Sequence, residues 1–402
     1  MSAGGVLPAG SAGARGKGTR PTLLLVTFAS TYNAPARMPR ELQRAGFEVV
    51  LLSPSGSLCA KSRFVDRVHS MPAEQSGSDW IEALAELAQA TRASLLLPGD
   101  DIVVQVFMQI VLQAVPGVRP AVQAELAALI RRSLGDPAGY LNSINKGLLS
   151  RRARELGLPV PPGDCVAEAS AAVQIAERVG YPVIVRPCLG WANMGVRVCA
   201  NAADVRAAMA EQPEPSAWVP MGPERALVQR LIRGRPINRA ALAWQGREVA
   251  GFCRSRLRPP PEATGAGTVS RYLVLPEVAA LNRRLLAGIG ASGFVATEYR
   301  QDAETGTPYV IELNRRMVPA THTGALVGVD LAAALAAVLE GRDWTGAADL
   351  AAENERTLAL FPQEWLRDQS SPDLRAFPTD APWDDPPLFQ AMLALRRTAR
   401  RA

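Results

Sequence analysis

Apolar runs and helical segments alternate along the first third of the chain. The apolar run TLLLVTFAS is followed by the helical segment MPRELQRAG, which ends at a glycine, and by a second apolar run, FEVVLLSP. Later, the helix WIEALAELAQAT leads into a third apolar run, SLLLPGDD. This order is typical of parallel strands joined by right-handed crossovers. It predicts an α/β, Rossmann-like domain, although the first turn, TFASTYNAP, lacks the GxGxxG motif of dinucleotide-binding domains.

The pattern changes to α+β further along the chain. Helices and strands first alternate up to a proline-rich break, and the sequence then becomes richer in strands, with turns at WQG and DAETGTP. The predicted units are a disordered tail over 1–20, the Rossmann-like domain over 21–125, a helical linker over 126–144, an α+β unit over 145–222, a strand-rich unit over 223–343 and a C-terminal extension over 344–402.

Composition and charge restrict the class of protein. With 402 residues, of which 48% are hydrophobic and 20% charged, the chain is expected to be a multi-domain globular protein. Its formal charge of +6 is modest for this length, so nucleic acid is not expected as the main partner. No apolar run reaches the roughly 18 residues that a membrane span needs. The apolar stretch after Arg20 is too short for a secretory signal and begins at a proline.

Cysteine and histidine content points to chemistry based on carboxylates and cations. The five cysteines are widely spaced and include no CxxC pair, which favours a cytoplasmic protein over a disulfide framework or a zinc site. Only two histidines, His69 and His322, are present, so a multi-histidine metal site is not expected.

Polar side chains alternate along the strand PYVIELNRR. Because strand side chains point to opposite faces in turn, Val310, Glu312, Asn314 and Arg316 are predicted to share one face. Core burial alone does not account for three polar groups on that face.

The preceding strand, FVATEYRQ, brings a second carboxylate into reach. If the DAETGTP turn centres on Thr305, Glu298 faces Glu312 across the hairpin. Two facing carboxylates beside an amide oxygen are favourable when a cation lies between them, and an all-oxygen set completed by phosphate is what Mg²⁺ prefers. The alternative from spacing alone is a pair of solvent-facing strands whose acids pair with Arg300, Arg315 and Arg316.

A glycine-containing loop, CLGWANMG, follows the strand that carries Arg186. Gly190 and Gly195 leave backbone N–H groups free to close over phosphate oxygens. An ordinary hairpin turn is the alternative, because the loop lacks the GK[ST] of a P-loop. Lys146, at a predicted helix start, offers a point charge for phosphate, and its alternative is a solvated lysine without a role.

The order of these features resembles that of the ATP-grasp superfamily of carboxylate-activating ligases, of the carbamoyl-phosphate-synthetase-like and D-alanine ligase-like kind. The resemblance covers residues 21–340 and rests on Lys146, YPVIVRP, the glycine-containing loop, LVQRLIRGRPI and GFVATEYRQD…YVIELNRR. It implies a Rossmann-like N-terminal domain followed by a two-lobed ATP-grasp fold. Residues 145–222 would be the N-lobe, or lid, and residues 223–343 the C-lobe with the metal site.

The resemblance also implies roles for the residues that match the family motif. Glu298, Glu312 and Asn314 would bind Mg²⁺ (or Mn²⁺), and Arg316 would hold the transferred phosphoryl group or acyl phosphate. Lys146 and Arg186 are expected to bind the nucleotide phosphates. Together with Arg316, they are the expected catalytic residues. On the strand YPVIVRP, Arg186 stands where the family usually has a lysine, which keeps the positive charge but changes the hydrogen-bonding geometry.

The segment LVQRLIRGRPI resembles the adenine-binding hinge of the family. Gln229 stands in place of the more usual acid, and Ile232 would supply main-chain groups. Pro236 falls where the family commonly has a ribose-binding glutamate, so Asn238 is the expected substitute.

The implied activity is ATP-dependent carboxylate–amine ligation through an acyl phosphate. The expected partners are small-molecule carboxylate and amine substrates. Neither a membrane nor nucleic acid is expected as a partner, and a homo-oligomer is left open. The candidates for holding the substrate carboxylate are Arg254, Arg256 and Arg271, which bracket the stretch PPPEATGAGTVS. The alternative is that these arginines belong to a solvated basic loop. Other functions left open are an ATP-grasp kinase or carboxylase and a non-catalytic nucleotide-binding sensor.

Overall fold

A computed structural model describes residues 20–71, 77–190, 195–213, 223–258 and 267–399. The predicted tail before Arg20, most of the proline-rich break, part of the CLGWANMG loop, the start of PPPEATGAGTVS and the last three residues lie outside the described residues.

The N-terminal part forms a four-stranded parallel sheet in the order β3-β2-β1-β4. Its strands are β1 (Thr22–Val26), β2 (Glu48–Pro54), β3 (Arg67–Met71) and β4 (Leu95–Pro98), and its helices are α1 (Asn33–Arg37), α2 (Pro39–Arg44), α3 (Gly77–Ala90), α4 (Asp101–Leu112) and α5 (Pro120–Leu134). Leu23 and Leu25 pack into one hydrophobic core and Leu24 and Val26 into another, so both faces of the sheet are covered. The α5 helix crosses residue 126, where the sequence places the start of a linker.

A second four-stranded sheet follows, with its own hydrophobic core. It is antiparallel, in the order β5-β8-β6-β7. Its elements are α6 (Tyr140–Ile144), α7 (Lys146–Glu155), β5 (Gly163–Val166), α8 (Ala169–Val179), β6 (Val183–Pro187), β7 (Arg197–Cys199), α9 (Ala202–Ala210) and β8 (Ala226–Arg230). The β8 strand belongs to this sheet, although the sequence assigns its residues to the following unit.

A six-stranded antiparallel sheet, in the order β13-β12-β9-β10-β11-β14, forms the third part. Its elements are β9 (Gly234–Trp244), β10 (Arg247–Arg258), β11 (Val269–Leu273), α10 (Pro276–Gly288), β12 (Gly293–Asp302), β13 (Pro308–Asn314), α11 (Leu331–Leu339) and β14 (Arg356–Ala359). One face packs on α7 and α10. The other face shares a core with α11 and with the N-terminal sheet, so the two domains are held by common apolar contacts.

The C-terminal extension contacts the six-stranded sheet and the N-terminal domain. It supplies the edge strand β14 and three helices, α12 (Gln363–Arg367), α13 (Asp373–Ala376) and α14 (Pro386–Ala399). Ser62 and Arg40 of the N-terminal domain contact Asp385 and Asp384 of the extension. The extension therefore ties the six-stranded sheet to the N-terminal domain.

No single helix among the described residues is both long and apolar enough to cross a membrane. One bent pair, Thr321–Val327 with Leu331–Leu339, reaches the required length and composition only when its two helices are taken together, and they meet at 100°.

Candidate functional site

Five side chains lie side by side across one face of the six-stranded sheet. Glu312 is opposite Glu298, Glu298 opposite Asn238, Asn238 opposite Arg254 and Arg254 opposite Tyr272, each on a neighbouring strand from β13 to β11. Directly opposite residues in antiparallel strands project from the same face of the sheet. We call this set the polar row. It runs from two carboxylates at one end, through an amide, to a guanidinium and a phenol.

A β-bulge in β13 corrects the predicted alternation. Glu312 pairs with Glu298, but the next pair along is Val310 with Tyr299, so Ile311 is an extra residue. Val310 consequently packs with Tyr299 in the core on the opposite face of the sheet, instead of sharing a face with Glu312 as predicted. The facing of Glu298 and Glu312 agrees with the sequence prediction.

The two carboxylates form an oxygen-rich end that suits a divalent cation. Burial and the charge of Glu312 raise the pKa of Glu298, and the charges of Arg256, Arg254 and Arg300 oppose that shift. A divalent cation between the two carboxylates would reduce their mutual repulsion. Arg300 donates to the Gly234 carbonyl, while Arg315 and Arg316 bond to Ser143 and Asp101; within the described ranges none of these arginines forms an ion pair with Glu298 or Glu312.

Asn314 is the third residue predicted to bind the metal. Asn314 lies at the end of β13 and lines the same cleft as Glu312 and Lys146. Among the described residues, no group of three or more His, Cys, Asp and Glu side chains could hold a metal. A cation bound here would therefore depend on amide and phosphate oxygens as well as on the two carboxylates, a donor set typical of Mg²⁺.

Lys146 is the nearest cation to Glu312. It is the first residue of α7, whose N-terminus is capped by the Asn145 side chain, and its Nζ lies 3.6 Å from Glu312 Oε1 and 2.5 Å from the Gly190 carbonyl oxygen. The Lys146 side chain is only 10% exposed, so the alternative of a solvated lysine does not hold. Burial lowers the pKa of Lys146, and Glu312 opposes that shift.

Arg186 is buried near the end of β6 and has neutral partners. Its Nη2 donates to Gln229 Oε1 at 3.0 Å and to the Ile311 carbonyl at 3.1 Å, while its Nε has no partner in the described structure. Burial lowers the pKa of Arg186, and the charge of Glu312 partly offsets this. Gln229 also donates to Ser150 and to the Pro161 carbonyl, so both ends of its amide are occupied.

Arg316 is held by the N-terminal domain. Its Nε and Nη2 donate to the two carboxylate oxygens of Asp101, each at 2.7 Å, and its Nη1 donates to the Tyr32 hydroxyl at 2.8 Å. These partners raise the pKa of Arg316 despite its burial. Asp101 lines the same cleft as Lys146 and Glu312, so this domain contributes to the site.

The predicted substrate arginines separate into two groups. Arg254 and Arg256 lie on either side of Ser255 along β10, so both project from the face that carries the polar row. Arg271 lies opposite Ser255 and therefore projects from the other face, where its Nη2 is 3.8 Å from Glu355 Oε2. Arg254 is 5% exposed, and its Nη1 donates to Ser270 Oγ at 2.9 Å. In the described part of the chain its Nε has no hydrogen-bond partner, and no carboxylate forms an ion pair with the Arg254 guanidinium.

Of the remaining predicted binding residues, Gly190 lines the cleft and Asn238 belongs to the polar row, whereas Gly195 and Ile232 do not line the cleft. Gly195 lies just before β7, and Ile232 is buried between β8 and β9. Asn238 is buried in the polar row, and its Oδ1 accepts no hydrogen bond from the described residues. An acceptor is thus available there.

Asp101 is the site residue that the sequence predictions omit. It begins α4 directly after Asp100, whose side chain caps that helix and also accepts bonds from Thr27 and from the Phe28 and Ala29 backbone. A Cβ on Gly99 would lie 2.8 Å from the Thr27 Cβ, so glycine permits this close approach. The signal was the PGDD motif at the carboxyl end of a parallel strand, where α/β proteins commonly bind ligands.

Part of the chain is similar to known proteins. Residues 145–238 match the family described as carbamoyl-phosphate synthase L chain, ATP binding domain. The carbamoyl phosphate synthase large chain of Pyrobaculum aerophilum is 27% identical over 161 residues, which are 40% of this chain and 14% of that protein. The chain therefore corresponds to a small part of that relative's length.

Solved structures share the architecture. The biotin carboxylase domain of Hydrogenobacter thermophilus 2-oxoglutarate carboxylase, a dimer in complex with MgADP, ADP and bicarbonate, has a TM-score of 0.61 at 17% identity, covering 84% of this chain and 72% of that one. An L-amino acid ligase from Bacillus licheniformis has a TM-score of 0.55 at 16% identity, covering 80% and 75%. The chain has the ATP-grasp fold, and this confirms the fold predicted from the sequence.

Proposed function

We propose that this ATP-grasp chain is a Mg²⁺-dependent ligase that uses ATP to activate a substrate carboxylate as an acyl phosphate for capture by an amine. The observation that carries the proposal is the polar row, with Glu298 and Glu312 at one end and the buried Arg254 towards the other. The carboxylates suit a nucleotide with its divalent cation, and the guanidinium suits a carboxylate. The row would hold the two reacting groups next to each other on one rigid sheet.

Lys146 and Arg186 are proposed to bind the nucleotide phosphates. Lys146 Nζ has Glu312 as its anionic neighbour at 3.6 Å, and Arg186 bonds only to neutral oxygens in the described structure. A phosphate bound between them would give Arg186 an anionic partner and Lys146 a second one, which offsets part of the cost of burying their charge.

Gln229 then acts as a positioning residue for Arg186, because its amide is engaged at both ends. The adenine contact is left to the main chain near Ile232. Asn238, with its unused acceptor oxygen, stays our candidate for a ribose hydroxyl.

Glu298, Glu312 and Asn314 are proposed to hold Mg²⁺, for which Mn²⁺ is the expected substitute. When bound, the cation neutralises negative charge on the phosphates and on the group in transfer. The facing of the two carboxylates and the raised pKa of Glu298 support this assignment.

In the proposed reaction, an oxygen of the substrate carboxylate attacks the γ-phosphorus of ATP, the bond to the bridging oxygen breaks, and ADP leaves. An amine then attacks the acyl carbon, and inorganic phosphate leaves as the amide forms. Arg254 and Arg256 would orient the carboxylate, and Arg316, held by Asp101, would stabilise charge on the phosphoryl group. No protein nucleophile is required, because phosphoryl transfer needs positioning and charge neutralisation.

A carboxylase is the second candidate, because the Hydrogenobacter thermophilus biotin carboxylase domain shares the fold and its complex contains bicarbonate. Bicarbonate is an oxyanion that the same Arg254 would hold. ADP production that depends on bicarbonate, and on no organic acid, would identify this activity.

The experiment is a hydroxylamine trap with a panel of carboxylic and amino acids. An acyl phosphate should yield a hydroxamate only when the correct carboxylate, ATP and Mg²⁺ are all present. Arg254→Gln should reduce hydroxamate formation about tenfold or more, the loss expected when a charge-assisted hydrogen bond is removed. Arg271→Gln is the matched control, since Arg271 lies on the other face, and it should retain parental activity.

Tight ATP binding without hydroxamate or substrate-dependent ADP anywhere in the panel, with bicarbonate included, would instead identify a nucleotide-binding sensor. The partners we propose are small molecules, and a cytoplasmic location stays a prediction from the cysteine content. The sequence leaves a homo-oligomer open, and the Hydrogenobacter thermophilus domain is a dimer.

A further inference from the structure

Two cysteines meet beside the phosphate-binding cations. Cys165 on β5 and Cys188, which directly follows β6, have their Sγ atoms 2.9 Å apart. Cys165 is partly exposed and Cys188 is buried. All five cysteines of the chain are described, and no other pair of their sulfur atoms makes such a contact.

Both cysteines contact the start of α7, which presents Lys146. The Cys188 carbonyl accepts the Lys146 backbone N–H at 2.9 Å, and Arg186 lies two residues before Cys188. A Cβ added to Gly147 would be 1.9 Å from Cys165 Sγ, so glycine lets the helix backbone lie against that sulfur. The first turn of α7 therefore lies against the Cys165 sulfur and is hydrogen-bonded to the Cys188 backbone.

We propose that Cys165 and Cys188 form a reversible disulfide that controls the nucleotide end of the site. In the forward step, a peroxide oxidises the more exposed Cys165 thiol to a sulfenic acid, and one water or alcohol leaves. The Cys188 sulfur then attacks the Cys165 sulfur, an S–S bond forms, and a water molecule leaves. A small dithiol reductant reverses the bond by thiol–disulfide exchange and is itself oxidised.

Closure changes the geometry around the phosphate cations. A disulfide requires an S–S distance of about 2.05 Å, against the observed 2.9 Å, so the two sulfur atoms must move towards each other. Because Cys188 bonds to the Lys146 backbone and Cys165 touches Gly147, this movement displaces the lysine from its position beside Glu312. Disulfide formation should therefore weaken binding of nucleotide phosphates.

The neighbouring Cys188 sulfur and burial raise the pKa of the Cys165 thiol, so oxidation should be slow at neutral pH and faster in mildly alkaline buffer. The test treats the full chain with hydrogen peroxide at about pH 8.5, the pKa of an ordinary thiol. Peptide mapping then locates any disulfide. Binding of MgADP is measured on the oxidised protein, the reduced protein and the oxidised protein after dithiothreitol.

The expected result is a disulfide between Cys165 and Cys188, about tenfold or more weaker MgADP binding, and recovery with dithiothreitol. Cys165→Ser and Cys188→Ser should lose both the disulfide and the sensitivity to oxidation. Cys199→Ala, which removes a buried thiol in the same lobe, should behave like the parent.

The effect on MgADP rests on the proposed function, whereas disulfide formation does not. Absence of a Cys165–Cys188 disulfide after oxidation, or unchanged MgADP affinity once it has formed, overturns the inference. If the reduced protein does not bind MgADP, the proposed function fails and the nucleotide part of this inference fails with it, while peptide mapping still decides whether the disulfide forms.

Discussion

Arg316 and Asp101 form a two-point ion pair that joins the six-stranded sheet to the N-terminal domain, with both N–O distances at 2.7 Å. Arg316 follows the strand that carries Glu312 and Asn314, and Asp101 opens the helix after β4. A guanidinium held at two points has little rotational freedom. The N-terminal domain thereby fixes the cation that the ATP-grasp resemblance assigns to the transferred phosphoryl group.

Asp101→Asn should lower turnover more than it weakens nucleotide binding. The change preserves side-chain size but removes the charge that orients Arg316, and an interaction used mainly in the transition state affects kcat more than ground-state affinity. We expect about a tenfold or larger loss in kcat with MgADP affinity changed by less than about threefold. Steady-state kinetics and calorimetry measure the two quantities.

Arg316→Ala should give the same split with a larger loss of kcat. Arg119→Ala is the control, because Arg119 is an exposed arginine that pairs with Glu82 in the N-terminal domain, the domain that also contains Asp101. Equal losses of kcat and MgADP affinity in Arg316→Ala would assign Arg316 to ground-state binding.

Glu312→Gln should abolish turnover while the protein stays folded. The substitution removes one negative charge from the proposed Mg²⁺ ligands and also the anionic neighbour of Lys146. ADP release and thermal unfolding are the measurements. Glu304→Gln, in the exposed turn between β12 and β13, is the matched control and should retain activity. Normal ADP release from Glu312→Gln would exclude this residue from the metal site.

Arg186→Ala should weaken ATP binding strongly, and Arg186→Lys should weaken it less. A charge-assisted hydrogen bond contributes roughly 1.5–3 kcal/mol, which corresponds to about 10- to 100-fold in affinity. Lysine retains the charge but cannot reproduce the bonds of the guanidinium to Gln229 and the Ile311 carbonyl simultaneously with phosphate. If both variants bind ATP like the parent, Arg186 has a structural role only.

His322 should make the protein less stable in acid. Its Nε2 is bonded to Asp380, and burial, with the nearby charge of Arg37, lowers the pKa of His322 to about 4. The unfolded histidine binds a proton near pH 6.5, whereas the folded one does so only near pH 4. The stability that His322 contributes is thus present above pH 6.5 and is lost as pH falls towards 4, by about 3 kcal/mol.

Urea unfolding at a series of pH values tests this prediction. His322→Gln should remove this part of the acid-dependent loss, while His69→Gln, at the chain's other and exposed histidine, should retain it. Asp380 does not obscure the comparison, because its pKa lies below the ordinary value and it stays ionised in this pH range. Parallel pH profiles for His322→Gln and the parent would contradict the assignment.

The amino-acid sequence by itself determined most of the local elements and the residue types of the candidate site. Alternating apolar runs and helices predicted β1, β2 and β4 of the N-terminal sheet, because a strand buried on both faces must be apolar throughout. The exposed edge strand β3 has no apolar run and was not predicted. The spacing within FVATEYRQ, its turn and PYVIELNRR was enough to place Glu298 opposite Glu312, since a tight hairpin sets the register of its two strands.

Only the tertiary structure decided which distant residues join those carboxylates. The bulge at Ile311 turned Val310 into the core, and the period-two pattern cannot reveal an extra residue that packing inserts. Arg254 and Arg271 look equivalent in the sequence, yet strand pairing places them on opposite faces. The contact between Asp101 and Arg316 spans 215 residues, and such a pairing depends on how two domains pack, which no local pattern encodes.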